Sequence, residues 1–547
     1  MSKIICIAQS KKELKFILNK IKYSDRYIFL PVNLETQLYC IIKNLNYIKL
    51  QDIFDKDFQK KAIEANKSLS NNLNLSDLKY ESEKQNFSSS IRFKLNSIIF
   101  LLESVRGVQK KIGIDKILIS GWNENVAEYS TENYFLSKMV LDLFNDIKIE
   151  SLTNIKPLEN IKNNLSEYYI EQNISSFKGT YVLLNNIGYN FLRIITLLFL
   201  RNIKSIVPID IKDYNNLNFF KKIIFKILGI NFLIFYQKKF DNTKNIFSDA
   251  INFEYDKKDI SPLFKDFIRI QKNYIFKSKS KNQILDKIFE KVKIKFVASN
   301  LSRDFSGYII EKAIEKNIPG ILIPHGTLSE SFDKHDKIYK DIIGESLIIN
   351  KKNVIVAAQS KITSKNLSNN LNNKINEIQT GNLIFANKRN SFLSKKNKIL
   401  YAVTLKEFFN IQYYGCEMFY EYLENLNFLN NLAKNIDNEI IVKPHPTEFK
   451  CLDYLKNNYK NLKFSTKKIN QLLCGSFVSV SFSSTVIEDS LHAKVPVILF
   501  DKWRRYKHCS ASTDPKKENC AIYYINNEQD FKSCLQTVKN SSNPDFN

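Results

Sequence analysis

Short β-rich apolar runs alternate along this chain with longer stretches whose apolar residues recur at helical spacing. "KIICIAQS" is followed by "KKELKFILNKIK" with helical period, then by "YIFLPVN", "LETQLYCIIKNLN" and "YIKLQDI". Strand, helix, strand, helix, strand predicts a parallel α/β sheet, because parallel neighbours need a crossover that a helix supplies. Residues from near Phe54 to Lys111 are polar and helical in period. They predict a helical insertion before "IDKILISGWN" returns to strand.

Between Lys148 and Asp286, runs such as "GTYVLLNN" and "SIVPID" sit among many aromatic residues, and the segment reads as further α/β. One part of it, "NFFKKIIFKILGINFLIFYQKKF" from Asn218 to Phe240, mixes Phe and Ile with paired lysines. That pattern fits a helix lying on a membrane surface, or a buried helix–strand unit with basic ends. From Lys291 the alternation sharpens through "VKIKFVASN", "SGYIIEKAIEKN", "IPGILIPHG", "NVIVAAQS", "KITSKNLSNNL" and "EIQTGNLIF". "ANKRNSFLSKKNK" is polar, basic and without period, and predicts a linker. A second α/β series then starts at "KILYAVT" and runs through "EMFYEYLENLNFLNNLAKNI", "EIIVKPHP", "NLKFST", "SFVSVSFSS", "TVIEDSLHAK" and "VPVILFD" to a last helix at "EQDFKSCLQTVKN". The expected architecture is α/β, two doubly wound lobes at 1–385 and 398–547 joined by a linker at 386–397, with the ligand in the cleft between them.

Composition narrows the partners. The chain has 547 residues, too many for one core, and a formal net charge of +26. Such charge favours an anionic partner, or reflects a lysine-rich solvated surface. Zinc-finger spacing, an arginine-rich tail and RNP-like aromatic motifs are all lacking, which argues against nucleic acid. The eight cysteines contain no CxxC pair and several lie in apolar runs, as expected in a reducing cytosol. The most apolar long stretch, "YNFLRIITLLFLRNIKSIV", is interrupted by Arg193, Arg201 and Lys204, so no transmembrane helix is expected. The P-loop, GxGxxG and HExxH patterns are absent, and no acidic cluster has metal-ligand spacing.

Candidate chemistry gathers late in the chain. All five histidines, His325, His335, His445, His492 and His508, lie after residue 324. His445 follows the strand "EIIVK", where a residue past the carboxyl end of a parallel strand meets the ligand crevice. Pro444 and Pro446 restrict it on both sides, and Lys443 adds positive charge. In "SVSFSSTVIEDSLHAK" a strand ends, Ser483 and Ser484 follow, and a helix begins; these hydroxyls, Thr485 and the helix start suit a phosphate. Thr485 and Glu488 have capping-box spacing, or Glu488 turns to the cleft and accepts from ribose hydroxyls. In "GILIPHGTLSE", His325 ends a strand before Gly326. It is either a general base for an acceptor hydroxyl or a loop histidine that orients the backbone, with Glu330 and Asp304 as carboxylate alternatives.

The order of these motifs carries a resemblance. An HG at a strand end, a linker, KPHP at a strand end, and SST before a helix with an acidic residue resemble the GT-B glycosyltransferases of bacterial surface polysaccharide synthesis. More narrowly, they resemble the group with HP and SS motifs, which includes sialyl- and polysialyltransferases, capsule polysaccharide proteins and CDP-glycerol glycerophosphotransferases. The resemblance covers about Val292 to Asp501. It implies a GT-B-like fold with an acceptor-side first lobe and a donor-binding second lobe. It also implies a cytidine nucleotide donor held by His445, Ser483 and Ser484, a base at His325, and no bound metal or other cofactor. The implied reaction moves a sugar from a CMP- or CDP-linked donor to a surface glycan or lipid-linked acceptor, as in capsule or lipopolysaccharide assembly. Alternatives are polyol-phosphate transfer, nucleotide-sugar epimerisation on the same fold, and an inactive assembly scaffold. The implied location is cytoplasmic, with peripheral contact to the anionic inner face of the plasma membrane.

Overall fold

The computed structural model describes residues 3–546 except 55–56, 77, 122–135, 154–163, 188, 242–252, 324–330, 348–353, 359, 362, 365–375, 382–396, 403–404, 407–416 and 505. The expected linker lies almost wholly outside the described residues. Among the described residues, three large sheets and two two-stranded pairs form the framework. The first is parallel, in the order β2-β1-β3-β4, from β1 (Ile4–Ala8), β2 (Tyr27–Pro31), β3 (Lys116–Ile119) and β4 (Lys148–Ser151). Every residue of β1 and β2 is buried, which is why both read as continuous apolar runs rather than alternating ones. The helical insertion is there as expected, as helices Phe58–Asn72 and Glu81–Ile112. "YIKLQDI" is not a strand. Tyr47 makes a single bridge to Phe29, and the chain then tightens into a 3-10 turn at Leu50–Asp52.

The second sheet has eight strands in the order β14-β13-β12-β11-β6-β7-β8-β5. They are β5 (Asn164–Tyr169), β6 (Thr180–Leu184), β7 (Lys204–Asp210), β8 (Ile230–Asp241), β11 (Lys293–Ser299), β12 (Gly320–Leu322), β13 (Val354–Ala358) and β14 (Glu377–Gln379). A small hairpin of β9 (Glu254–Tyr255) and β10 (Lys258–Asp259) interrupts the series. Only β5 runs antiparallel, at the edge. Counted from β6, the seven parallel strands follow the doubly wound order 3-2-1-4-5-6-7, with a switch point between β6 and β11. Both faces are covered. The long helix Pro262–Lys291 puts Ile284, Leu285 and Ile288 on one face, and Phe191, Ile195, Leu198 and Phe225 cover the other.

The third sheet is wholly parallel, in the order β19-β18-β15-β20-β21-β22. Its strands are β15 (Lys398–Ala402), β18 (Glu439–Lys443), β19 (Lys463–Phe464), β20 (Ser476–Ser481), β21 (Val497–Phe500) and β22 (Ile522–Ile525). A two-stranded pair, β16 (Leu405–Lys406) and β17 (Glu417–Met418), leads into helix Phe419–Leu432. Here the order is 3-2-1-4-5-6, with the switch point between β15 and β20. The doubly wound α/β lobes expected from the alternation are thus present. The extra N-terminal sheet does not stand apart, because Ile5, Ile7 and Ile117 share one contiguous core with Ile99 and Phe100 of the long insertion helix and with Ile399, Tyr401 and Val442 of the third sheet. Aromatic packing bolts this junction: Phe54 stacks on Phe58 at 4.1 Å and meets Tyr420 at 5.8 Å.

Candidate functional site at the switch point

Three strand ends converge beside β15. In register, Ala402 pairs with Lys443 on one side and Ser481 on the other. At about 4.8 Å per strand, Lys443 and Ser481 are about 10 Å apart, the width of a phosphate with its ligands on both sides. The two sequence motifs begin where these strands stop. A doubly wound sheet leaves its crevice at this place, because the crossovers leave the switch point in opposite directions and cover neither side of it.

His445 is half-buried, and its backbone is pinned. Its N–H donates to Glu448 Oε1 at 2.7 Å, and its carbonyl accepts from Glu448 N at 2.9 Å. Pro446 opens the short 3-10 helix Pro446–Cys451, so Glu448 stands where a capping carboxylate reaches back to the residue before a helix. Glu448 is fully buried and also meets the Tyr422 hydroxyl, whose ionisation burial and this charge push far up. Behind it, Tyr401 Oη donates to Glu417 Oε1 at 2.6 Å, and Asn425 Nδ2 reaches the same oxygen at 2.6 Å. A fully buried polar layer therefore supports the histidine loop from below. Burial lowers the affinity of the half-buried Lys443 for its proton, and the Glu448 charge opposes that fall.

Glu448 is a positioning residue that sequence reading passed over, although the His-Pro-x-Glu spacing carries its signal. Glu448→Ala is expected to cost about 1–3 kcal/mol, from the half-buried His445 N–H left unpaired, and to loosen His445. Glu448→Gln, which keeps an acceptor for that N–H, is expected to recover most of the stability. Urea melts of the two variants check this, and equal losses would rule out the positioning role.

On the other side of β15, Ser481 Oγ donates to the Ala402 carbonyl at 3.1 Å, tying the two strand ends together. Phe482 turns into an apolar cluster with Ile63, Tyr339 and Tyr506, which leaves Ser483 and Ser484 at the turn. Ser483 is buried, Ser484 half-buried and Thr485 exposed. The capping box is not formed. Thr485 precedes helix Val486–His492 in helical geometry with no side-chain cap, and Val486 N–H donates instead to Ser484 Oγ at 3.2 Å. Glu488 reaches the other lobe: its Oε1 accepts from Ser360 Oγ at 3.2 Å. Ser360 follows β13, so the carboxyl ends of the second and third sheets face each other across this contact, and Glu488 already accepts a hydroxyl there. Beside it, burial and then the Glu488 charge push the Asp489 carboxyl up to about 7. Asp489 is a further acid at this site that the sequence reading did not single out.

The remaining candidates divide. His325 and Glu330 lie outside the described residues. Asp304 belongs to the second sheet's own switch point, in the first lobe, where it begins helix Asp304–Glu315 at φ +56 and accepts from Ser278 Oγ at 3.2 Å. The turn is tight, since a Cβ on Gly307 would collide with the Ser302 carbonyl. Around it, Asn185 Nδ2 donates to Asn300 Oδ1 at 2.6 Å and Ser306 Oγ at 2.8 Å. Asn185 Oδ1 and Ser302 Oγ are buried without hydrogen-bond partners among the described residues. This second crevice was not foreseen, although "LLNN" and "ASNLS" each place asparagine just past a strand. His335 pairs with Glu64 at 2.9 Å, and His508 is fully buried beside Tyr506. Among the described residues, no group of three or more His, Cys, Asp or Glu is placed to hold a metal ion.

No family model matches this chain, and no curated protein matches it. Solved structures do. A UDP-GlcNAc 2-epimerase from Methanocaldococcus jannaschii is 16% identical, with 66% of this chain and 94% of that one covered, at a TM-score of 0.36. The wall teichoic acid polymerase TagF is 12% identical, with 67% and 82% covered, at 0.37. A UDP-glucosyltransferase from Polygonum tinctorium is 12% identical, with 59% and 79% covered, at 0.33. With TM-scores below 0.5, the assignment of the fold rests on the strand orders above.

Proposed function

We propose that this protein is a GT-B-type glycosyltransferase that moves a sugar from a CMP- or CDP-linked donor to a surface glycan or lipid-linked acceptor. The observation that carries the reading is the convergence of Lys443, His445, Ser483 and Ser484 on one switch point that faces the other lobe through Glu488 and Ser360. A nucleotide diphosphate or monophosphate leaving group needs cationic and hydroxyl donors held in advance, and those four residues supply them. Glu488 is assigned to the ribose hydroxyls because it already accepts a serine hydroxyl across the junction. The crevice of Asn185, Asn300 and Ser306 offers the polar lining that a hydroxyl-rich acceptor requires. His325 is assigned as the base that takes the acceptor hydroxyl's proton, with Glu330 and Asp304 as the carboxylate alternatives. Charge on the departing phosphate is met by Lys443, His445 and the hydroxyls, so no role is assigned to a metal or to any other cofactor.

A thermal-shift panel of CMP-, CDP-, UDP- and GDP-linked donors tests the reading. Stabilisation by the cytidine donors is expected, followed by release of free nucleotide only when acceptor is added. A changed sugar with donor alone would make the protein an epimerase. No shift with any of the four would overturn the nucleotide site.

A further inference from the structure

The second sheet carries an apolar surface that the proposed reaction does not use. Helix Phe219–Ile227 buries only Phe225. Phe219 is 72% exposed, Phe220 75% and Ile227 63%, and Ile223 and Ile224 are exposed beside them. Helix Tyr189–Leu200 adds exposed Leu197, Phe199 and Leu200. The two helices are neighbours, since Phe191, Ile195 and Leu198 of one pack with Phe225 of the other on the same face of the sheet. Singly exposed apolar residues are ordinary, but eight large ones on adjacent helices are not. An ordinary surface helix turns this stripe inward; here the sheet takes one phenylalanine and leaves the stripe outside.

The charges around the patch identify what covers it. From Tyr189 to Leu228 the sequence holds seven basic residues, Arg193, Arg201, Lys204, Lys212, Lys221, Lys222 and Lys226, against two acidic ones, Asp210 and Asp213. Asp210 is already paired with Lys281 at 2.7 Å. Lys221 and Lys226 are exposed among the phenylalanines and isoleucines. A second copy of this chain would bring the same basic cluster against itself, which disfavours self-association. A bilayer surface satisfies both features at once, with acyl boundary for the aromatic and branched side chains and anionic headgroups for the lysines. No described helix is long and apolar enough to cross a membrane, so the contact is with one leaflet.

We propose that helices Tyr189–Leu200 and Phe219–Ile227 form a docking face for an anionic phospholipid bilayer. The inference does not depend on the transferase reading. It resolves the ambiguity of the Asn218 to Phe240 stretch in an unexpected way: the stretch is a helix–strand unit of the sheet, and its helix still presents a membrane-type face.

Co-sedimentation of the full chain with vesicles tests it, using phosphatidylcholine alone and phosphatidylcholine with phosphatidylglycerol. Wild type is expected to pellet with the anionic vesicles. Combined Phe219→Ser, Phe220→Ser and Ile224→Ser should weaken that partition by at least about tenfold, with the thermal melt and nucleotide-donor binding unchanged. Combined Lys221→Glu and Lys226→Glu should remove most of the preference for anionic lipid. Wild type left in the supernatant, or a triple variant that pellets equally well, would overturn the proposal. So would a concentration-dependent dimer of the wild type that the triple variant abolishes, since the face would then be a self-contact.

Discussion

His445→Ala is expected to weaken binding of CMP- or CDP-linked donors by about 10- to 100-fold while leaving the fold intact. Loss of a charge-assisted hydrogen bond to phosphate is worth about 1.5–3 kcal/mol, and each 1.4 kcal/mol is a factor of ten. The tie that pins the loop to Glu448 uses main-chain atoms of His445, 2.7 Å at its N–H and 2.9 Å at its carbonyl. Alanine keeps both. His445→Asn, which retains a side-chain donor, should recover part of the affinity. Calorimetry with CMP, CDP and UDP decides, with circular dichroism as the control for folding. If the alanine variant binds these ligands as tightly as wild type, the histidine does not hold the phosphate. Read beside Glu448→Ala, which leaves the imidazole but loosens its support, the pair separates contact from positioning.

What the sequence disclosed about this site follows from the range of the forces involved. Local signals were readable. The runs "EIIVK" and "SFVSVS" are strands because their residues are buried on both faces, and the prolines around His445 mark where a strand must stop. That β15 lies between β18 and β20 is a matter of pairing between residues far apart in the chain. No local pattern encodes it, yet it is what makes two separate motifs into one site. The same holds for the first sheet, whose core is shared with the third sheet across hundreds of residues. Glu488 shows a local rule losing to a tertiary contact. Its capping-box spacing is intact, but the Ser360 hydroxyl of the facing lobe takes the carboxylate instead. At helix Phe219–Ile227 the periodicity was plain, and only the structure shows that the apolar stripe points outward.

Asp489→Asn is expected to stabilise the protein at pH 8 by up to about 4 kcal/mol and to do almost nothing at pH 4. The cause is burial: Asp489 is 8% exposed at the base of helix Val486–His492, with the Glu488 charge beside it, so the native state holds its proton up to about pH 7. In the unfolded chain the group ionises at its ordinary value of 3.8. Between those two values the native state binds the extra proton, so stability falls as pH rises. Above pH 7 both states are ionised and the full penalty stays. At about 1.4 kcal/mol per pH unit this gives about 4 kcal/mol, which the neutral asparagine escapes. His508 works in the opposite direction, because burial lowers it to about 4 and its contribution is lost as pH falls from 6.5 towards 4. Since His508 is present in both proteins, subtracting the two urea midpoints at each pH isolates Asp489. A gain equal at pH 4 and pH 8 would mean that packing is responsible, not the proton. A destabilising effect at pH 8 would mean that the ionised carboxylate has a partner at the switch point, where it would stand beside Glu488 as a second acceptor for ligand hydroxyls.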